Sequence, residues 1–315
     1  MKKFKFSWVA VTMLALTPAI SSCSSDDASV TPEGPSSATS TDIDGTRVTK
    51  VGNVEISYDD KGRPYLFKQS GSSRNEVEID YNEGEINFYE NNKLSQTVGV
   101  SFNGSGFISR LTLSYDLEYS DYSESASGDM KFSYDGDGHL TKVKEQASGK
   151  VTDYEEDETY NYTYDHTSNL TWTKGNLVEI ESEEIERVNG YEVESDENVT
   201  TFDYSRDLNQ FKQFPMSLCY DHMDNLDLFF VVGLFGNGPA DLPSYLEHKE
   251  DGRIKHSYNI SFNLNNNGSF STERMGNSRT WTYDYSRITR SCGNEGSEVK
   301  LPTIFGKLKT FRAKK

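Results

Sequence analysis

The stretch FSYDGDGHL, residues 132–140, recurs with variations along the chain, and this recurrence limits the fold more than any other feature. Related stretches are ISYDDKGRPYL from Ile56, IDYNEGEI from Ile79, VSFNGSGFI from Val100, YTYDHTSNL from Tyr162, ISFNLNNNGSF from Ile260 and WTYDYSRI from Trp281. The common form is an apolar residue, any residue, an aromatic, Asp or Asn, a short polar turn often holding Gly, and an aliphatic residue. Apolar residues two apart lie on one face of a strand. Asp or Asn starts a turn by bonding its own backbone, and Gly accepts a positive φ without a Cβ penalty. Each copy therefore predicts the tip of a β-hairpin, and the series predicts an antiparallel meander.

Asp135 and Asp137 also look like the first ligands of a calcium loop. Such a loop needs a further acid or amide, then Gly, then a Glu six residues beyond the Gly. That last position is Lys144, and the sister copies keep the turn while losing the acids. The stretch reads as a turn, and no metal site is assigned. A second turn type is expected at Lys174-Gly175-Asn176 in LTWTKGNLVEI. Long strands are expected over 109–120, with Leu111, Leu113, Tyr115, Leu117 and Tyr119 in alternation, and over 191–205, with Val193, Val199, Phe202 and Tyr204. The segment 221–235, around NLDLFFVVGLFG, is too densely apolar for a surface strand and reads as a short helix or a loop plugging one end. The expected fold class is all-β with little helix.

The 315-residue chain is 12% aromatic, with 19 Tyr and 17 Phe against 8 Pro, which suits strands. Its net charge of -18 argues against nucleic acid, which needs a basic patch to displace counterions. Residues 151–200 carry 15 acids against Lys174 and Arg187, and residues 300–315 carry six bases and no acid. Solvated strand faces and a basic tail account for both, although the acidic block could also bind cations or a basic partner.

No Gly-x-Ser-x-Gly, His-Glu-x-x-His, Walker or Gly-x-Gly-x-x-Gly motif is present, so no catalytic residue and no cofactor is assigned. His139 and His166 fall at comparable positions of the repeat and are expected on exposed turns. His248 and His256 bracket KEDGRIK, a hairpin that would bring them together across strands. Trp172 and Trp281 lie in expected strands. If exposed they would stack on sugar rings, and if buried they are cross-strand core. Cys219 and Cys292 permit one disulfide in an oxidising compartment.

The N-terminus is a targeting segment. Lys2, Lys3 and Lys5 precede an apolar run from Phe6 to Ile20, too short to span comfortably as a helix. Ile20-Ser21-Ser22-Cys23 then forms a lipobox, with Cys23 as the lipidated residue. The division expected is a signal peptide over 1–22, a Ser/Thr/Gly/Pro/Asp-rich tether from Cys23 to 48, one β domain over 49–292, and a basic C-terminal segment over 293–315. Asp26 and Asp27 resemble a surface-export signal. The expected location is the outer membrane, lipid-anchored and exposed at the cell surface.

The serial Tyr-Asp hairpins, TWTKGNLVEI, and Gly233, Leu234, Gly236, Leu242 and Pro243 within VVGLFGNGPADLPSYLE resemble a lipoprotein domain family of Bacteroidota, a domain of unknown function with a porin-like fold. The resemblance covers about residues 50–290 and implies an antiparallel meander curled into a barrel-like sheet. It carries over no catalytic residue. The polar alternate face of the strands argues against a bilayer-spanning wall and for a barrel in water, closed or nearly closed. The expected function is a non-catalytic binding or accessory lipoprotein, with the membrane, through its lipid, and a glycan or envelope protein as partners. An envelope-docking role would need an exposed apolar patch, for which Leu228–Phe235 is the candidate. A hydrolase would need two carboxylates converging in a pocket with pKa values pushed apart.

Overall fold

The computed structural model describes residues 46–70, 75–120, 122–154, 157–219, 226–277 and 279–287. Cys23, Cys292, the signal segment and the basic tail lie outside the described residues. The first eight strands are β1 (Thr46–Val51), β2 (Val54–Tyr58), β3 (Pro64–Gln69), β4 (Glu76–Asp80), β5 (Glu85–Glu90), β6 (Lys93–Phe102), β7 (Ile108–Glu118) and β8 (Tyr122–Tyr134). The rest are β9 (Leu140–Asp153), β10 (Glu158–Thr173), β11 (Asn176–Val188), β12 (Tyr191–Leu208), β13 (Asp241–Glu250), β14 (Arg253–Leu264), β15 (Phe270–Met275) and β16 (Arg279–Arg287). Each pairs antiparallel with its sequence neighbours, and β16 pairs with β1 to close a barrel of sixteen strands. Closure removes the sheet edges, as the meander required. β1 begins at Thr46, inside the stretch expected as tether.

Four copies of the motif build one turn geometry on one rim. The carbonyls of Asp59, Asn103, Asp135 and Asn265 accept the N–H of Gly62, Gly106, Gly138 and Gly268 at 2.9–3.2 Å. Those glycines have φ of 78°, 80°, 81° and 84°. The Oδ1 atoms of Asp59, Asn103 and Asp135 each also accept two backbone N–H groups, two and four residues on. Slight burial raises the Asp135 pKa, but the hydrogen bonds from His139 and Asp137 outweigh it and hold the carboxyl below its ordinary value. Asp135, Asp137 and His139 bring ligand atoms within 4.8 Å of one another, and the turn itself accounts for that grouping.

Two copies are not turns. Tyr162–Asp165 runs through the middle of β10, and Trp281–Asp284 through β16. The third residue after the Asp is Ser168 or Arg287 there, not Gly. Without a residue at ease with positive φ the chain stays extended. His166 therefore sits mid-strand, half-buried and facing inward, not on an exposed turn.

The aromatic residue of the motif has a second task. Register shifts interrupt the ladders beside Tyr58, Tyr134, Trp172 and Tyr204. Such bulges take carbonyls out of the ladder. The Tyr58, Tyr134 and Tyr204 hydroxyls donate to the carbonyls of Val48, Ile108 and Leu177 at 2.6–2.7 Å. Trp172 Nε1 donates to the Leu140 carbonyl at 2.8 Å. Each rim aromatic thus satisfies a backbone group of the neighbouring hairpin.

Gly138→Ala tests the turn. A Cβ there would sit 3.1 Å from the Phe107 ring and 3.0 Å from Asn237 Nδ2. Left-handed backbone costs a non-glycine residue about 1–2 kcal/mol, and the crowding adds to it. Gly190 has φ of 83° and nothing within 4 Å of its Cβ position, so Gly190→Ala carries the backbone cost alone. Denaturant midpoints are expected to fall for both, and further for Gly138→Ala.

The motif rim is closed from inside by residues 209–219 and 226–240, between β12 and β13. Among the described residues this plug holds a 3-10 turn, Met216–Cys219, and a short helix, α1 (Asp227–Val231). Gly233, at φ 79°, ends α1, with its N–H on the Phe230 carbonyl and the Leu234 N–H on the Phe229 carbonyl, both at 2.9 Å. That pairing is a Schellman termination and explains the Gly-Leu pair. Phe229, Phe230, Leu234 and Phe235 are fully buried among inward residues of the wall such as Phe67, Ile86, Leu111 and Leu140. The apolar density of 221–235 is therefore core, and Leu228–Phe235 is not an exposed docking patch.

Candidate functional site

Side-chain alternation splits the wall into two chemistries. On β8 the inward set includes Glu124, Ala126, Met130 and Phe132, and the outward set Ser123, Ser125, Ser127, Asp129, Lys131 and Ser133. On β9 the outward residues include Lys142, Lys144, Gln146, Ser148 and Lys150. A bilayer-spanning barrel needs an apolar outward band about 25 Å tall. On these two strands the apolar face is inside and the outward face is polar.

Above the plug the inward face turns polar. His166 pairs in register with Glu145 on β9 and Glu184 on β11, and its Nδ1 lies 3.8 Å from Glu145 Oε2. Ser168 Oγ lies 3.0 Å from His166 Nε2 and 2.7 Å from Ser182 Oγ. His248 pairs with His256 across β13 and β14, with rings 6.3 Å apart, and its Nδ1 lies 2.9 Å from Thr200 Oγ1. The hairpin therefore brings these two histidines together as its sequence suggested. Glu124 accepts hydrogen bonds from Tyr115 at 2.7 Å and Tyr162 at 3.2 Å, and burial pushes its carboxyl pKa up. Glu124, Glu145, Ser168 and Thr200 are at most 2% exposed. The acids Glu124 and Glu145 are sealed between the walls, whereas His166 and His248 are half-buried and His256 is exposed.

The outer face carries a trough of about 780 Å³ across β6 to β10. Its middle is a row of hydroxyls in direct register: Ser114, Ser127, Ser148 and Thr163. Beside it runs a second row, Thr112, Asp129, Gln146 and Asp165. Arg110 makes a two-point contact with Asp129, at 2.7 and 3.3 Å, and Lys131 reaches the same carboxylate at 3.1 Å. Burial raises the Asp129 pKa, but Arg110 and Lys131 outweigh it and hold the carboxyl below its ordinary value. Asp165 accepts from Gln146 at 2.9 Å and from Arg187 at 3.0 Å. Under the trough the inward positions are the small residues Ala126, Gly128, Ala147 and Gly149, so the wall can bend inward there.

Trp172 and Trp281 do not line this trough. Trp281 is buried in the core. Trp172 is half-buried, stacked on His139 at 4.2 Å and edge-on to Phe214 at 6.0 Å. Neither ring offers an open face for stacking on a sugar. Cys219 is buried in the plug, where burial pushes its thiol pKa well up, and its proposed partner Cys292 is outside the described residues. Sequence reading missed the trough because each strand contributes only two to four of its residues. The one local signal is serine at alternate positions, Ser123, Ser125 and Ser127.

Neither a protein-family model nor a curated protein matches the chain. Among solved structures it is similar to a porin-like protein from Bacteroides vulgatus ATCC 8482, at 14% identity over 76% of this chain and 98% of that one, with a TM-score of 0.45. It is also similar to a porin-like protein from Bacteroides uniformis ATCC 8492, at 12% identity over 78% of this chain and 93% of that one, with a TM-score of 0.47.

Proposed function

We propose that the chain is a lipid-anchored lipoprotein of the outer membrane, exposed at the cell surface, which uses its outer trough as a non-catalytic binding face. The observation that carries the binding role is the trough itself. Its volume lies in the range of ligand sites, and its polar side chains converge from five adjacent strands. The lipobox ending at Cys23 supports anchoring, and the water-facing wall supports a barrel held beside the bilayer. β1 starts on the plugged rim, so a lipid on Cys23 would tie that end towards the membrane. The inward burial of Leu228–Phe235 disfavours protein docking through that segment.

Two measurements test this. Cys23→Ala is expected to move the protein from the membrane pellet to the soluble fraction, and retention in the pellet would overturn the anchoring. Ser148→Trp fills the trough from an exposed position, where substitutions cost within about 0.5 kcal/mol. It is expected to abolish capture of an unfractionated extracellular polymer mixture by the immobilised full chain, with the melting temperature unmoved. Unchanged capture would overturn the binding face.

A further inference from the structure

We infer that the trough takes a neutral polyhydroxylated chain, an oligosaccharide bound edge-on through its hydroxyls without aromatic stacking; this rests on the binding role proposed for the same face. Both carboxylates of the trough are paired. Arg110 and Lys131 hold Asp129, and Arg187 and Gln146 hold Asp165. Neither carboxylate is left free to hold a cation, and although the three cations exceed the two carboxylates by one, the net charge of -18 repels polyanions.

Other polymers fit less well. An extended peptide binds by adding a strand to a sheet edge, and the closed barrel has none. An amphipathic helix needs an apolar groove, and among the lining residues only Leu113 and Ala147 are apolar apart from glycines. What remains is a dense array of small donors and acceptors. Hydroxyls of Thr112, Ser114, Ser127, Ser148 and Thr163 can each donate and accept, and Thr97, whose hydroxyl donates to Asn87 Oδ1, can accept. Most of these hydroxyls are short and stand on a rigid sheet, so holding a ligand costs little side-chain entropy. Five strands at about 4.8 Å spacing give the trough a width of roughly 19 Å, room for a chain rather than a single small molecule.

The test is an array of neutral gluco-, manno- and xylo-oligosaccharides, with oligogalacturonate as the acidic comparison, probed with the purified full chain. The expected result is binding to at least one neutral series. It should weaken at least tenfold in Ser148→Trp and in Gln146→Ala, stay unchanged in Glu181→Gln on the outer face of β11, and persist in 0.5 M NaCl. Preference for oligogalacturonate, loss in high salt, or neutral binding indifferent to Ser148→Trp would each overturn the inference. If no neutral series binds while capture of the polymer mixture still depends on Ser148, the sugar class falls and the binding face stands. If that capture is indifferent too, both fall.

Discussion

Phe235→Ala is expected to destabilise the barrel by about 3–5 kcal/mol, the range for emptying a buried phenylalanine site. For a barrel of this size that lowers the melting temperature by roughly 6–20 °C. The ring is fully buried and meets Phe230 at 4.5 Å and Phe132 at 4.6 Å between centroids, joining plug to wall. Its neighbours cannot collapse into the void, because the backbone around it is pinned. The Ile108 N–H donates to the Leu234 carbonyl, and the Asn237 N–H to the Gly138 carbonyl, both at 2.9 Å. Phe235→Leu keeps much of the volume and should cost less than half as much. Thermal unfolding of the three proteins checks the order, and an alanine variant within 1 kcal/mol of wild type would mean that the plug does not support the wall.

Glu273→Ala is expected to cost about 2–6 kcal/mol, from two buried backbone donors left without acceptors at roughly 1–3 kcal/mol each. Glu273 is fully buried on β15. Its oxygens accept the Met216 N–H at 2.9 Å and the Ser217 N–H at 2.7 Å, and the Tyr283 hydroxyl also donates to it. With Tyr285, whose hydroxyl donates to Gln213 Oε1 at 2.7 Å, it holds the first part of the plug to the wall. Burial is the largest influence on its pKa and raises it, against the hydrogen bonds from Ser217, Tyr283 and Met216, and the net direction is upward. A carboxyl raised in the folded state stabilises fully below its unfolded value of about 4.3, and that contribution fades as pH climbs through the folded value. Glu273→Gln keeps one acceptor and cannot ionise, so it should cost less than Glu273→Ala. Its deficit relative to wild type should shrink between about pH 4 and 8. A deficit that grows with pH would place the folded pKa below the unfolded one.

The turns were legible because their cause is local. Asp or Asn followed three residues later by Gly marks Asp59, Asn103, Asp135 and Asn265, and each is a hairpin tip on the same rim. The two misread copies, at Asp165 and Asp284, lack that Gly. The sequence places Val193 and Val199 in one alternating strand with Phe202 and Tyr204, yet they face outward while Thr200 and Phe202 are buried. A shift of one residue exchanges the faces of a strand, and the register of β12 is set by its partners β11 and β13 rather than by its own pattern. The dense apolar run before Gly236 announced an interior segment, but its role as a plug depends on wall atoms far away, Glu273 among them.

By itself the sequence determined the all-β class, the antiparallel order and the rim turns, since alternation, Asx bonding and glycine φ act within a few residues. Only the tertiary structure decided that the meander closes on itself, that Trp172 packs against the plug while Trp281 is buried in the core, and that hydroxyls from β7 to β10 align into one trough. Those outcomes depend on cross-strand register and on which wall meets which across the barrel, and both are summed over residues far apart in the chain.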